Sequence, residues 1–276
     1  MLLLAKCEEG CVGGFILGRI RVVDLSVPIE PAPSEFLPPE VIHKGHREGA
    51  AVMSALFGCR EEELPDGLGW ADDTLNNLST HHGTHLDAPW HFAPVSEGRP
   101  AKTIDEVPLE WCYGDGVILD MRHKPPGSGV TVDDLRQALE KIGYQLKSGD
   151  IVLIMTGADK LWGKREYLNA GCGMTREATL WLIEQGVRVM GTDAWGWDKP
   201  FWAIKEEYEK TGDAGVIWEA HYAAREKEYV HVEKLANLDY LYDVLRRPYG
   251  FKVACFPVKV KGASAGWCRA VAILEE

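Results

Sequence analysis

Apolar and polar positions follow two regimes along the chain. Gly116 to Met121, Asp150 to Thr156 and Val187 to Thr192 are apolar almost without interruption. Short runs of that kind, rich in valine, isoleucine and leucine, read as strands buried on both faces. The stretches between them carry helix signals. Thr131 is a good N-cap, Asp133 and Asp134 fall in the first turn, and Gly143 ends a helix running to Ile142. Thr175 opens a second helix, with Glu177 early and Gly186 late. Strand, helix, strand, helix, strand predicts an α/β core. Residues 20–28 predict a strand stopped by Pro28, and residues 251–261 and 267–274 a closing pair of strands around Gly262. Prolines 31, 33, 38 and 39 make residues 29–40 a loop, long enough to be a lid or a binding loop. Residues 60–73 are acidic and expected at the surface.

No internal repeat, low-complexity tract or composition break divides the chain. The expected fold class is α/β, with a mixed central sheet or barrel-like sheet flanked by helices, in a single domain over residues 19–276. Residues 1–18 read as an N-terminal arm or edge hairpin turning at Gly13 and Gly14.

Composition narrows the partners. Of 276 residues, 46% are hydrophobic and 26% charged, enough apolar material for a real core. The net charge of −12, with no basic stripe, argues against a nucleic-acid partner and against adhesion to anionic membranes. The apolar start, Leu2 to Leu4, is too short for a signal or membrane segment, and Glu8 and Glu9 follow closely. Seven cysteines, an odd number without a CxxC pair, fit scattered reduced thiols and a cytoplasmic location. Cys7 and Cys11, four apart, are the one spacing that could make a metal or disulfide pair.

The strongest chemical signal is the segment from His81 to His91. Four of the nine histidines, His81, His82, His85 and His91, fall within its eleven residues, with Asp87 among them. Histidine with carboxylate is the usual ligand set of zinc, manganese or iron. His81, His85, Asp87 and His91 share parity, but ten residues of extended chain cover roughly 33 Å. Convergence on one ion therefore demands bends. Gly83 permits one, and Pro89 stops a helix from running past Ala88. A His-rich polar loop with only an opportunistic surface site has the same composition. His82 has the opposite parity and reads as a packed or solvated neighbour. Further ligands, or a catalytic base, would come from His221 and Glu233, twelve residues apart; alone, such a pair is weak.

The run from His81 to Phe92 reads His-x-x-Gly-Thr-His-x-Asp-x-Pro-x-His-Phe. It is similar to the signature of the cyclase superfamily, which contains bacterial kynurenine formamidases and isatin hydrolases. Val23 to Ser26 resembles that family's first strand. Gly149 to Gly157 resembles its Gly-Asp-x-Val-Leu-x-x-Thr-Gly strand, and Gly191 to Asp193 its Gly-x-Asp turn. His221 with Glu233 to Leu238 resembles its last catalytic stretch. The resemblance implies that His81, His85 and Asp87 bind a first metal ion. In dinuclear members Asp87 would bridge to a second ion held by His221 and Glu233, and His91 would be the acid/base residue. It also implies zinc or manganese, one or two ions per chain, and a homo-oligomer, dimer or tetramer.

Residues 193–202 depart from the plainer Asp-x-x-Ser-x-Asp of formamidases. Trp195, Trp197, Phe201 and Trp202 crowd this stretch, which its glycine and proline mark as more loop than core. They read as core or interface packing, or as an aromatic wall of a substrate pocket, with Phe36 of the proline-rich loop as a further candidate. The insertion around 201–217 also looks longer than in the smaller formamidases. The expected activity is hydrolysis of a small cyclic or aryl amide, or a lactone, by metal-activated water. A metal-dependent lyase or dehydratase, and a non-enzymatic metal-binding protein, are the alternatives.

Overall fold

In the computed structural model, residues 20–275 are described; the expected arm over 1–18 and the Cys7/Cys11 pair lie outside them. Nine strands form one sheet: β1 (Ile20–Asp24), β2 (His85–Asp87), β3 (Tyr113–Asp120), β4 (Ile151–Met155), β5 (Val189–Thr192), β6 (Val230–Glu233), β7 (Tyr249–Ala254), β8 (Ala265–Trp267) and β9 (Val271–Glu275). Their order is β1-β9-β7-β3-β4-β5-β6-β2-β8. The central pairs β3/β4, β4/β5 and β5/β6 are parallel, and the others antiparallel. The fold is thus mixed α/β, a strongly curled half-barrel in a single domain.

The curl follows from chain lengths. Seven strand spacings separate β8 from β9 in the sheet order. In a flat sheet they would lie ~34 Å apart. Yet Trp267 and Val271 are four residues apart, a reach of roughly 14 Å at most. The sheet must bend until its two edges approach. Crosslinks between them record this: Ser26 bridges Leu235, the Val27 amide donates to Thr84 Oγ1, and the Ala236 amide donates to the Leu25 carbonyl. The expected closing pair is present as β7 against β9. The first strand of that pair stops at Ala254, however, and the chain crosses to add β8 beside β2 at the opposite edge before returning.

The apolar runs behave as their composition dictates. Ile151 and Leu153 face one core, with Leu86, Ile118, Val189, Val232 and Phe251. Val152 and Ile154 face another, with Val117, Leu119, Leu135, Leu182 and Trp197. Two of the five α-helices among the described residues match the expected positions. The helix α1 covers His46–Phe57, and α2 is the short turn Pro89–Phe92. In α3 (Val132–Ile142) the Thr131 side chain accepts from the Asp134 amide and Gly143 takes a left-handed φ of 66°. In α4 (Arg176–Glu184) Thr175 caps the Ala178 amide. The last, α5 (Phe201–Thr211), begins inside the aromatic stretch expected to be loop. No helix among the described residues is long and apolar enough to cross a membrane.

Candidate metal centre

The site is built on the register of three short strands. In β2, His85 lies opposite Glu233 and Asp87 opposite His231 of β6. Side chains two apart share a face, so these four polar groups project together. Leu86 and Val232, one position out of phase, go to the apolar core behind them. His81 reaches the same place from the turn before β2. Gly83, at φ 60°, makes that turn, and a Cβ there would meet Ile29 at 2.9 Å. Pro89 acts differently from expectation: it starts α2 instead of only ending a helix, as its fixed φ suits a first helical position. That turn brings His91 back over Asp87, four residues before it.

Both carboxylates face two ways. Asp87 Oδ1 lies 2.9 Å from His81 Nδ1 and 3.2 Å from His85 Nε2. Its Oδ2 lies 3.4 Å from His231 Nε2, 3.7 Å from His91 Nε2 and 3.9 Å from His221 Nε2. Glu233 sets Oε2 3.6 Å from His85 Nε2, and Oε1 3.6 and 3.2 Å from His221 and His231 Nε2. Despite this crowding, neither Asp87 oxygen has an aligned hydrogen-bond donor, although both are buried. Buried carboxylate oxygens are rarely left so. His231 Nε2 and Glu233 Oε1 bond each other at 3.2 Å, and the Asp87 oxygens are left facing positions shared among the imidazoles.

The outer partners orient the imidazoles. His85 Nδ1 is 2.9 Å from the Gly83 carbonyl, an acceptor only, so Nδ1 carries the proton and Nε2 presents its lone pair inward. His221 Nδ1 bonds the Asp198 carboxylate in the same way; Asp198 also accepts from the Ala220 and His221 amides. A carboxylate or carbonyl behind an inward-facing imidazole, as at His85 and His221, is the usual support of a metal ligand. His81 Nε2 meets Ser264 Oγ at 2.9 Å. Glu233 Oε1 accepts from the Trp197 amide. Buried Lys234, next in sequence, donates to Glu35 Oε2 and to the His81 carbonyl, and Glu35 Oε1 accepts from the Gly83 amide. One buried ion pair thus braces the His81 turn against the end of β6.

Charge states follow from these neighbours. Burial lowers the His91 pKa to about 4, with His81 and His221 opposing protonation and Asp87 favouring it, so its ring is neutral at pH 7. Burial would also lower His81, but the Asp87 carboxylate outweighs it and the net shift is upward. Asp87 is held well below the ordinary carboxylate range: burial opposes this, and the surrounding histidines overcome it.

A cavity of about 180 Å³ opens over the cluster, lined by His81, His91, His221, Glu233, Trp195 and Phe201 among others. That is smaller than the ~300–1,000 Å³ of sites for drug-sized ligands, so it has room for a small molecule only. The expected aromatic wall divides. Trp195 and Phe201 line the cavity and meet edge to face. Trp197 lies in the core, where its Nε1 donates to Thr179. Trp202 packs over Gly127, and Phe36 is 71% exposed. His82 is a packed neighbour, bonded to the Leu37 carbonyl and the Ser79 amide. His231 was not among the expected site residues. Its signal was parity: in Val230-His231-Val232-Glu233 the histidine shares a face with Glu233.

A curled α/β half-barrel with a buried cluster of imidazole and carboxylate groups, of a kind that suggests a metal site, is the class these features define. The chain belongs to the Cyclase family, described as "Putative cyclase", whose model matches residues 23–199, more than half of its length. It is similar to the kynurenine formamidase of Erythrobacter litoralis (strain HTCC2594), at 28% identity over 198 residues, covering 70% of this chain and 73% of that protein. Among solved structures it resembles isatin hydrolase A from Ralstonia solanacearum, with a TM-score of 0.69 and 24% identity over 93% of this chain and 92% of that one. Isatin hydrolase A from Labrenzia aggregata, bound to benzyl benzoate, gives 0.67 and 23% over 93% and 94%. These two likenesses concern the fold.

Proposed function

We propose that the protein is a metal-dependent hydrolase that opens a small cyclic or aryl amide, or a lactone. The observation that carries this reading is Asp87: a buried carboxylate without an aligned hydrogen-bond donor on either oxygen, ringed by five imidazoles and Glu233, behind the His81, His91, His221 and Glu233 side chains that line a cavity for a small molecule. The hydrolase names of the formamidase and isatin hydrolase relatives support the same chemistry.

The donor set of imidazole nitrogen and carboxylate oxygen fits zinc or manganese. In this reading His81, His85 and Asp87 hold one ion, and Asp87, His221 and Glu233 a second. A bound ion would supply Lewis acidity toward a carbonyl oxygen and a lowered pKa for water. The chain's own groups do the rest. His91, neutral and beside Asp87, accepts the proton that water releases and returns it to the leaving nitrogen or oxygen. Asp198 and the Gly83 carbonyl fix the tautomers of His221 and His85. Trp195 and Phe201 cover a flat substrate and limit water around it. A homo-oligomer of two or four chains is part of the proposal; exposed Leu56 and Phe57 of α1 offer apolar surface for it.

His91→Ala tests the reading. The variant should keep its bound metal and lose roughly 10²–10⁴ in kcat. Turnover at the wild-type rate would remove His91 from the reaction. Run on a panel of cyclic amides, aryl amides and lactones in ¹⁸O-water, the wild-type reaction should place label in a product carboxylate. A product without label would mean lyase or dehydratase chemistry.

A further inference from the structure

We propose that His231 is itself a metal ligand, which gives the second ion two imidazoles and a glutamate, with Asp87 bridging. This rests on the metal reading above and adds a residue to it. One ligand atom each from Asp87, His221, His231 and Glu233 lie within 4.8 Å of one another, and all four residues are buried. His231 Nε2 stands 3.4 Å from Asp87 Oδ2 and 3.2 Å from Glu233 Oε1, and its ring meets His221 edge-on at 4.8 Å. The β6 register sets His231 directly opposite Asp87, so both side chains leave the sheet on the same face.

The surroundings argue that the histidine is there for Nε2. Its ring is clamped between Phe92, stacked at 5.0 Å and 19°, and Trp197, stacked at 5.3 Å and 16°. An aromatic or aliphatic side chain would fill that slot without cost. Nδ1 is buried with no hydrogen-bond partner, and a buried orphan donor or acceptor is unfavourable. Nothing around Nδ1 accounts for an imidazole, whereas Nε2 meets both carboxylates. Two imidazoles also change the metal this position prefers: imidazole suits zinc, iron or nickel, and an oxygen-rich site suits manganese or magnesium. The second position should therefore favour zinc over manganese.

The competing account makes His231 a buried cation that balances Asp87 and Glu233. The two differ in sign. Removing a ligand weakens metal binding; removing a competing positive charge strengthens it. The test uses chelator-stripped full-length protein, titrated with Zn²⁺ and with Co²⁺, read by elemental analysis, calorimetry and cobalt absorption. His231→Phe keeps a ring in the Phe92–Trp197 stack and removes both nitrogens. His231→Gln serves as a second variant should Phe not fold, and circular dichroism of the metal-free proteins checks both. Wild type should take up two zinc ions. Both variants should bind the second well over ~100-fold more weakly, beyond the range of an outer partner, and the second cobalt band should be lost. Unchanged or tighter second-ion binding in a folded variant overturns the proposal. So does a wild type that takes one ion, lost in His85→Ala and unaffected by His231→Phe, although the metal reading then stands. A wild type that binds neither metal overturns both.

Discussion

Residues 81–91 and residues 193–202 are both short, both crowded with flat side chains, and fold in opposite ways. The first converges: His81 from a turn, His85 and Asp87 from β2 and His91 from α2 meet within 4 Å. The second disperses: Trp195 and Phe201 go to the cavity, Trp197 to the core, and Trp202 against Gly127. Imidazole and carboxylate groups taken out of water must find polar partners, and that demand fixes where each one points. An indole ring is satisfied by almost any apolar neighbour. A crowd of ligand groups therefore predicts a site, and a crowd of aromatics predicts only burial.

The largest expected effect tests convergence. Asp87→Ala removes the carboxylate that stands within 4 Å of all five imidazoles. Bound metal should fall from one or two ions per chain to a small fraction, a loss beyond the ~10–100-fold that an outer partner costs, and activity with it. Elemental analysis after gel filtration measures this. Retention of full metal content would show that residues 81–91 pack together without making a site.

The next effect tests dispersal. Trp197 is 1% exposed and bonds Thr179. Trp197→Ala should cost about 3–5 kcal/mol of stability, seen as a lower urea midpoint, and the folded variant should still bind metal. A stable Trp197→Ala variant with a raised KM would instead return this residue to the substrate wall.

The same contrast explains what the sequence made legible. The three apolar runs became β3, β4 and β5 because strands covered on both faces need no alternation. Thr131 and Gly143 marked α3 because caps are local chemistry. The Gly191 to Asp193 turn has a structural basis: the Asp193 carboxylate accepts from Thr156 and Gly157 and ties the ends of β4 and β5 together. What could not be read were long-range pairings. Nothing near Ala265 signals that it pairs with Asp87, and nothing near Glu35 that it meets Lys234 across the fold. His231 stood between, visible only once β6 was known to be a strand and Glu233 known to face the site.

The smallest effect concerns Trp195, where the two stretches meet at the cavity. Its ring packs edge to face on Phe201 at 5.3 Å, and the Lys234 ammonium lies 5.3 Å over it. That ammonium is already engaged by Glu35 and the His81 carbonyl, so it anchors the indole without being free for a ligand. The indole Nε1 is buried with no hydrogen-bond partner. If a substrate oxygen accepts from it, Trp195→Phe keeps most of the ring and loses one hydrogen bond, about 0.5–1.5 kcal/mol, or a roughly 2- to 10-fold rise in KM. Trp195→Ala removes the wall as well and should raise KM further. Metal content should be unchanged in both variants, and kcat nearly so, because Trp195 holds no ligand and moves no proton. Steady-state kinetics on the best substrate from the amide and lactone panel gives the answer. A KM unchanged in both variants would leave residues 193–202 with no part in substrate binding. A rise in the alanine variant alone would make Trp195 an apolar wall whose N–H the substrate ignores.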